Sequence, residues 1–134
     1  VILDLDHLKK INDTHGHMIG GDKALQILAD TLKKMCRVED TICRYGGDEF
    51  LIILYDTSAQ VAYKRVLEWK EAVAKIKIES GAGEFSVSFS AEVAEFPLHG
   101  LKGEEILIRA DEALYQAKAL GRNQVVVFNN GEQP

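Results

Sequence analysis

The sequence predicts an α+β domain with a mixed, mostly antiparallel sheet of about five strands flanked by helices. Three observations point there. Short β-rich runs occur at residues 1–5, 41–45, 50–55, 85–93 and 125–128. Amphipathic helical periodicities separate most of them, and one pair is joined by little more than a double glycine, which calls for a hairpin. The 134 residues, 46% hydrophobic and 28% charged with a net charge of −5, have the balance of one soluble globular domain. A chain of this length buries roughly two-thirds of its unfolded surface, so its core needs no covalent staples.

Val1-Ile2-Leu3-Asp4-Leu5-Asp6 is apolar up to two acids, as expected of a buried strand whose carboxyl end opens onto a site. Because the sequence starts inside that strand, a longer parent polypeptide is expected. After a glycine-rich break at 16–21, Leu25, Leu28, Leu32 and Met35 recur at steps of 3, 4 and 3, a helical period with Asp22 placed to cap or flank its start. Residues 41–45 and 50–55 form an antiparallel hairpin in which Gly46 and Gly47 would supply the positive φ angles of a primed turn. Ala62, Val66, Trp69, Val73 and Ile76 trace a second helix that presents Lys64, Arg65, Glu68 and Lys70 to water; Gly81-Ala82-Gly83 closes it. Strict alternation from Phe85 to Val93 predicts one strand with a buried face and a hydroxyl-lined face. Leu107, Ala110, Leu114 and Ala117 define a third helix that stops at Gly121, before a last strand at 125–128. The domain is expected to occupy residues 1–128, with a polar, frayed tail at 129–134.

Cys36 and Cys43 are seven apart, match no paired-ligand spacing, and are expected as two buried thiols in a reducing compartment. The longest apolar run, 50–55, has strand length, well short of the ~18 residues a transmembrane helix needs. No signal peptide is expected. The domain is expected in the cytoplasm, whether or not its parent is membrane-anchored. An acidic balance without a Lys/Arg cluster argues against duplex nucleic acid as a partner, though a few placed cations suffice for one nucleotide.

Candidate chemistry concentrates in Arg44-Tyr45-Gly46-Gly47-Asp48-Glu49-Phe50, where two carboxylates follow a bare turn. Taken alone, such a pair is as readily solvent-exposed decoration. Asp4 and Asp6 shift the balance. If the first strand neighbours the hairpin, Asp4 with Asp48 or Glu49 makes a hard-oxygen pocket for Mg²⁺, the arrangement that steadies attacking and leaving oxygens in phosphoryl displacement. His15 and His17, with His7 nearby, are more readily structural or solvated than a transition-metal site. Tyr45 and Trp69 read as packing. No Ser-His-Asp or Cys-His constellation stands out.

Five blocks in order resemble the GGDEF family of diguanylate cyclases. They are Asp4-Leu5-Asp6; Lys9-Lys10-Ile11-Asn12-Asp13 with Gly16-His17; Arg44 to Phe50; Ala110-Asp111 with Ala113-Leu114-Tyr115; and Ala117-Lys118 with Gly121-Arg122-Asn123. The resemblance implies a nucleotidyl-cyclase, palm-like (ferredoxin-like) fold. Two such domains, each holding one GTP, would face each other, and each 3′-hydroxyl would attack the other α-phosphate to give cyclic di-GMP and pyrophosphate. It further implies Asp4, the Leu5 carbonyl, Asp48 and Glu49 as ligands of two Mg²⁺ ions, with Mn²⁺ an acceptable substitute. Asp48 or Glu49 would activate the hydroxyl. Lys9 would steady phosphate charge, as would backbone amides at His7 and Leu8 and around Gly47. Lys118 and Arg122 would bind the triphosphate, the alternative being a simple offset of the helix dipole.

By the same resemblance, Asn12 and Asp22 would read guanine, a carboxylate there accepting from two donors that adenine lacks. Asp22 follows Gly20-Gly21 with one residue more than the family spacing, so either a bulge absorbs the extra residue or base recognition weakens. Arg37-Val38-Glu39-Asp40 matches an inhibitory Arg-x-x-Asp site for cyclic di-GMP, in which Arg37 and Asp40 act together; the alternative is a helix-end pair in water. A second arginine is often found on the following helix, where this chain has Glu68. The family's opening Leu-Thr-Gly-Leu segment is missing from the sequence, so the domain is expected to be truncated at its N terminus.

The leading expectation is a Mg²⁺-dependent diguanylate cyclase domain that acts only as a pair, with an upstream sensor or dimerisation module raising the local concentration of its halves. The alternative is a module that binds GTP or cyclic di-GMP and regulates a neighbour without turnover. A third reading, another palm-type nucleotidyl transferase, lacks a basic template groove.

Overall fold

The structure, a computed structural model, describes residues 1–129. Apart from Asn129, the expected frayed tail therefore lies outside the described residues. The chain runs β1 (Ile2–Leu5), α1 (Leu8–His15), a π-helical turn (His17–Asp22), α2 (Lys23–Met35), β2 (Thr41–Arg44), β3 (Glu49–Ile53) and α3 (Ala59–Ala74). It continues through β4 (Ile78–Ser80), β5 (Gly83–Phe85), β6 (Phe89–Val93), α4 (Gly103–Ala119) and β7 (Val125–Val127). Five strands form one sheet in the order β2-β3-β1-β6-β7, antiparallel except for the β6–β7 pair.

Strand β1 lies in the middle, which is why all four of its residues are buried. Leu3 sits opposite Phe50 and Ala91, and with Leu5 and Phe89 these side chains meet Leu28 and Leu32 of α2 and Val66, Trp69 and Val73 of α3. On the other face, Ile2 packs with Leu51, Ala110 and Leu114 beneath α4. Since side chains alternate across a strand, Asp4, Glu49 and Ser90 share that second face one step nearer the strand end. An acid in the middle of an apolar strand is thus aimed at the last turns of α4.

The structure corrects several sequence expectations. The run from Phe85 to Val93 is broken: Phe85 pairs with Ile78 in a separate β4–β5 hairpin, and β6 starts only at Phe89. Nor is its polar face wet. Ser90 and Glu92 are fully buried because α4 covers them. Alternation cannot distinguish water from a second covering layer. Gly46 and Gly47 stay out of the left-handed region, so the hairpin has no primed turn. Instead the amides of Tyr45 and Gly46 both donate to the Glu49 carbonyl across a wider loop, 2.8 and 3.3 Å long. Tyr45, expected to pack, stands exposed on that loop, whereas Trp69 is buried. Cys43 is exposed on the edge strand β2 and Cys36 half-buried, so neither is a fully buried thiol. Helix α1 left no periodic signature because it buries Ile11 alone, and α3 ends at Ala74, short of Ile76.

The extra residue before Asp22 is absorbed by the π-helical turn, which feeds directly into α2. Asp22 has helical dihedrals and makes no capping hydrogen bond, so the N-cap alternative is not realised. Gly20 and Gly21 let this turn lie on α1. A Cβ at Gly20 would come within 2.7 Å of His15 Cβ and 3.1 Å of the Ile11 carbonyl oxygen. Gly20→Ala is therefore expected to destabilise the domain by about 1–3 kcal/mol, as overpacking against backbone does; urea unfolding measures it, and an unchanged midpoint would contradict this packing.

Candidate active site

The site forms where β1 ends. The Leu5 amide donates to the Asp48 carbonyl over 3.0 Å, fastening the double-glycine loop to the end of the central strand. Asp4 and Asp48 are brought together, the outcome expected if the first strand neighbours the hairpin. His7 then takes a left-handed conformation with φ of 57° and turns the chain into α1. No side chain caps that helix and no acid occupies its first turn, so its first amides are unclaimed by side chains beside the site.

Two adjoining cavities of about 530 and 500 Å³ share Leu8, Lys9, Asp13 and Asp48. The first is also lined by Asp4, Leu5, Asp6, His7, Lys10, Lys118 and Arg122, the second by Asn12, His17 and Gly47. One trough thus gathers most of the residues singled out from the sequence. Two stand apart. Glu49 lines neither cavity, its carboxylate lying against Gly46, and Asp22 is exposed and lines neither. Gly21 occupies the place beside Asn12, where a Cβ would come within 1.9 Å of the Asn12 Oδ1. His17, expected as structural or solvated rather than a metal ligand, is exposed and lines the same cavity as Asn12. His15 is structural: its ring stacks on Phe85 at 3.9 Å and its Nδ1 lies 2.6 Å from Ser80 Oγ.

Electrostatics at the strand end are unbalanced. Burial pushes the Asp4 carboxyl up to about 7; a hydrogen bond and ion pair with Lys118 oppose that rise, and nearby Asp48 adds to it. Asp4 Oδ1 is buried without a partner. A buried orphan acceptor beside a second carboxylate suits a hard divalent cation, which would relieve the repulsion. No group of three or more His, Cys, Asp or Glu side chains able to hold a metal occurs among the described residues. The remaining ligands of such an ion must come from backbone, water or a substrate's phosphates, which is the usual habit of Mg²⁺.

The profile described as "Diguanylate cyclase, GGDEF domain" matches residues 1–124. The chain belongs to this family. It is 38% identical over 126 residues to diguanylate cyclase DgcP of Pseudomonas aeruginosa, covering 94% of this chain and 18% of DgcP. It is 40% identical over 128 residues to the response regulator PleD of Caulobacter vibrioides, covering 94% of this chain and 28% of PleD. The GGDEF domain of DgcB from Caulobacter crescentus, solved in complex with c-di-GMP, superposes with a TM-score of 0.83 at 29% identity, over 94% of this chain and 74% of that one. This GGDEF domain therefore spans well under a third of the length of these two curated relatives. The α+β palm-like fold expected from the sequence is the one observed.

At the far end of β2 from the glycine loop, the Arg-x-x-Asp pair is differently built than expected. Asp40 is not a loop aspartate in water. Its side chain is buried, its Oδ2 accepts from the Arg37 amide at 2.9 Å, and Arg65 of α3 donates to the same oxygen at 2.5 Å. Burial alone would raise the Asp40 carboxyl, but these donors and the Arg65 charge hold it below its ordinary value. Arg37 itself is exposed. Sequence reading looked for a second arginine at Glu68 and missed Arg65, one turn earlier on the same helix, whose signal was a cation in a row assigned to water.

Proposed function

We propose that this domain is the catalytic half of a diguanylate cyclase, condensing two GTP into cyclic di-GMP and two pyrophosphates when two copies face each other. The observation that carries the reading is the meeting of Asp4 and Asp48 in a trough also lined by Lys9, Lys118 and Arg122. Acids and cations lining one trough suit a metal-bound triphosphate. Asp4 and Asp48, with the Leu5 carbonyl, would hold Mg²⁺, or Mn²⁺ in its place. The metal would supply charge neutralisation at the α-phosphate and lower the pKa of the attacking hydroxyl. Lys9, the amides of His7 and Leu8, and the open backbone at Gly47 would steady the phosphates. A Cβ at Gly47 would meet nothing of the protein within 4 Å, so any demand for glycine there comes from a ligand. Glu49 would act only after swinging from Gly46 toward the trough. Asn12 would read the base.

One trough presents one pair of acids, Asp4 and Asp48, and joining two GTP molecules through both 3′-hydroxyls would call on a second such trough from a second domain. An upstream module in the parent polypeptide would supply that proximity. The test uses artificially dimerised protein with GTP and Mg²⁺, followed by chromatographic separation of nucleotides. Cyclic di-GMP and pyrophosphate are expected. Guanine-nucleotide binding without product would favour the regulatory module, a reading supported by the position of Asp22 outside the trough.

Product inhibition is proposed at Arg37, Asp40 and Arg65. Arg65 Nη1 is buried without a hydrogen-bond partner, and the exposed Arg37 guanidinium offers a fork for phosphate or guanine. Arg37→Ala is expected to weaken inhibition by added cyclic di-GMP at least tenfold while leaving the initial rate unchanged. An identical inhibition curve would remove this site.

A further inference from the structure

Asp6 is a carboxylate that the proposed chemistry does not use. It is 5% exposed. Its Oδ1 accepts from Ser90 Oγ at 2.6 Å, and its Oδ2 accepts from Ser88 Oγ at 2.6 Å and from the Asn123 amide at 3.0 Å. Two hydroxyls, one from β6 and one from the residue just before it, and one amide from a distant turn thus converge on a single side chain. Its own amide donates to the Ser88 carbonyl at 2.9 Å, so both backbone and side chain bind it to the entry of β6.

The turn it reaches is unusual. Gly121, Arg122 and Asn123 are consecutive left-handed residues, with φ of 108°, 61° and 50°. Glycine takes that conformation freely, but arginine and asparagine do so at a cost that neighbouring contacts must offset. Two of the turn's bonds are local to α4: Gly121 N donates to Lys118 O at 3.2 Å, and Arg122 N to Ala117 O at 3.1 Å. They close the helix without fixing where the turn sits relative to β1. The bond from the Asn123 amide to Asp6 does fix it, and the bond from Ala91 N to the Gln124 carbonyl, 2.9 Å long, holds only the residue beyond. Arg122 lines the cavity that holds Asp4 and Asp48.

We infer that Asp6 is a positioning residue for the phosphate-binding turn: its carboxylate, clamped by Ser88 and Ser90, holds the Asn123 amide and so aims Arg122 at the triphosphate bound beside Asp4. A charged acceptor is the stronger choice for such a clamp, since one oxygen serves two donors. The inference rests on the proposed nucleotide site and adds how that site is assembled from three elements distant in sequence.

The test measures affinity for the α,β-methylene analogue of GTP with Mg²⁺ in four proteins: wild type, Asp6→Ala, Arg122→Ala and the double variant. Each single change is expected to weaken binding about tenfold, the scale on which loss of a supporting hydrogen bond acts. The double variant is expected to bind no worse than about either single one, because Asp6 works through Arg122. Losses that multiply in the double variant, or an unaffected Asp6→Ala protein, would overturn the inference while leaving the nucleotide site standing. An unaffected Arg122→Ala protein would overturn both. Asp6→Asn covers the case in which Asp6→Ala does not fold. It keeps an oxygen for the Asn123 amide, so affinity is expected within about threefold of wild type, with the Asn123 amide proton moving upfield as its acceptor loses charge. An unmoved Asn123 resonance would refute the clamp.

Discussion

Asp48→Ala is expected to reduce cyclic di-GMP formation by the dimerised protein by roughly 10²- to 10³-fold or more, the scale of losing one group that stabilises charge in a transition state. Asp48 is one of the residues common to both cavities, and it is the carboxylate placed to share a cation with Asp4. It is also half-exposed on a loop whose backbone, through the Leu5 amide to the Asp48 carbonyl, survives the substitution. Stability should change little. A second readout separates site from scaffold: without Asp48 the Asp4 carboxyl loses a neighbour that pushes it upward, so it should titrate lower in the variant than in wild type. Activity within tenfold of wild type would remove Asp48 from the chemistry.

The largest expected effect on stability belongs to Glu92. This side chain is fully buried on the α4 face of the sheet, opposite Ile2 and Val126, and neither carboxyl oxygen has a partner. Burial pushes its carboxyl up to about 8, and Asp111 adds to that rise. The folded state therefore keeps a proton that the unfolded chain releases near 4.5, and stability contributed by Glu92 falls as pH rises from about 4.5 to about 8. By pH 7 the fall amounts to several kcal/mol, at about 1.4 kcal/mol for each pH step.

One other carboxyl titrates in the same range: Asp4, raised by burial to about 7, contributes a parallel fall in stability as pH rises from about 4 to about 7. The clean measurement is therefore a difference. Glu92→Met, which fills the same volume without a charge, should stabilise the domain, and its advantage over wild type should grow from pH 5 to pH 8 in urea unfolding. A constant advantage across that range would show that Glu92 is not protonated in the folded state.

Much of this site was legible in advance because its parts are local in sequence. Asp4 closes an apolar strand, Asp48 follows a bare turn, and Lys118 and Arg122 bracket the end of a periodic helix. What stayed hidden involved the other side of each contact. Arg65 read as a solvated helix residue until α3 was seen to run past Asp40. Ser88 and Ser90 read as a wet strand face, yet their hydroxyls are spent on Asp6. The short α1 was invisible because one buried residue makes no period.

By itself the sequence determined the α+β class and the glycine-rich segment that accommodates an extra residue, since composition and spacing act over a few neighbouring positions. Only the tertiary structure decided that Asp22 points away while Gly21 lies against Asn12, that Glu92 is sealed under α4, and that Asp6 joins β1 to the turn after α4. Each of these depends on which surface covers which, a matter of contacts between residues tens of positions apart, and no periodicity along the chain encodes the layer that will be laid across it.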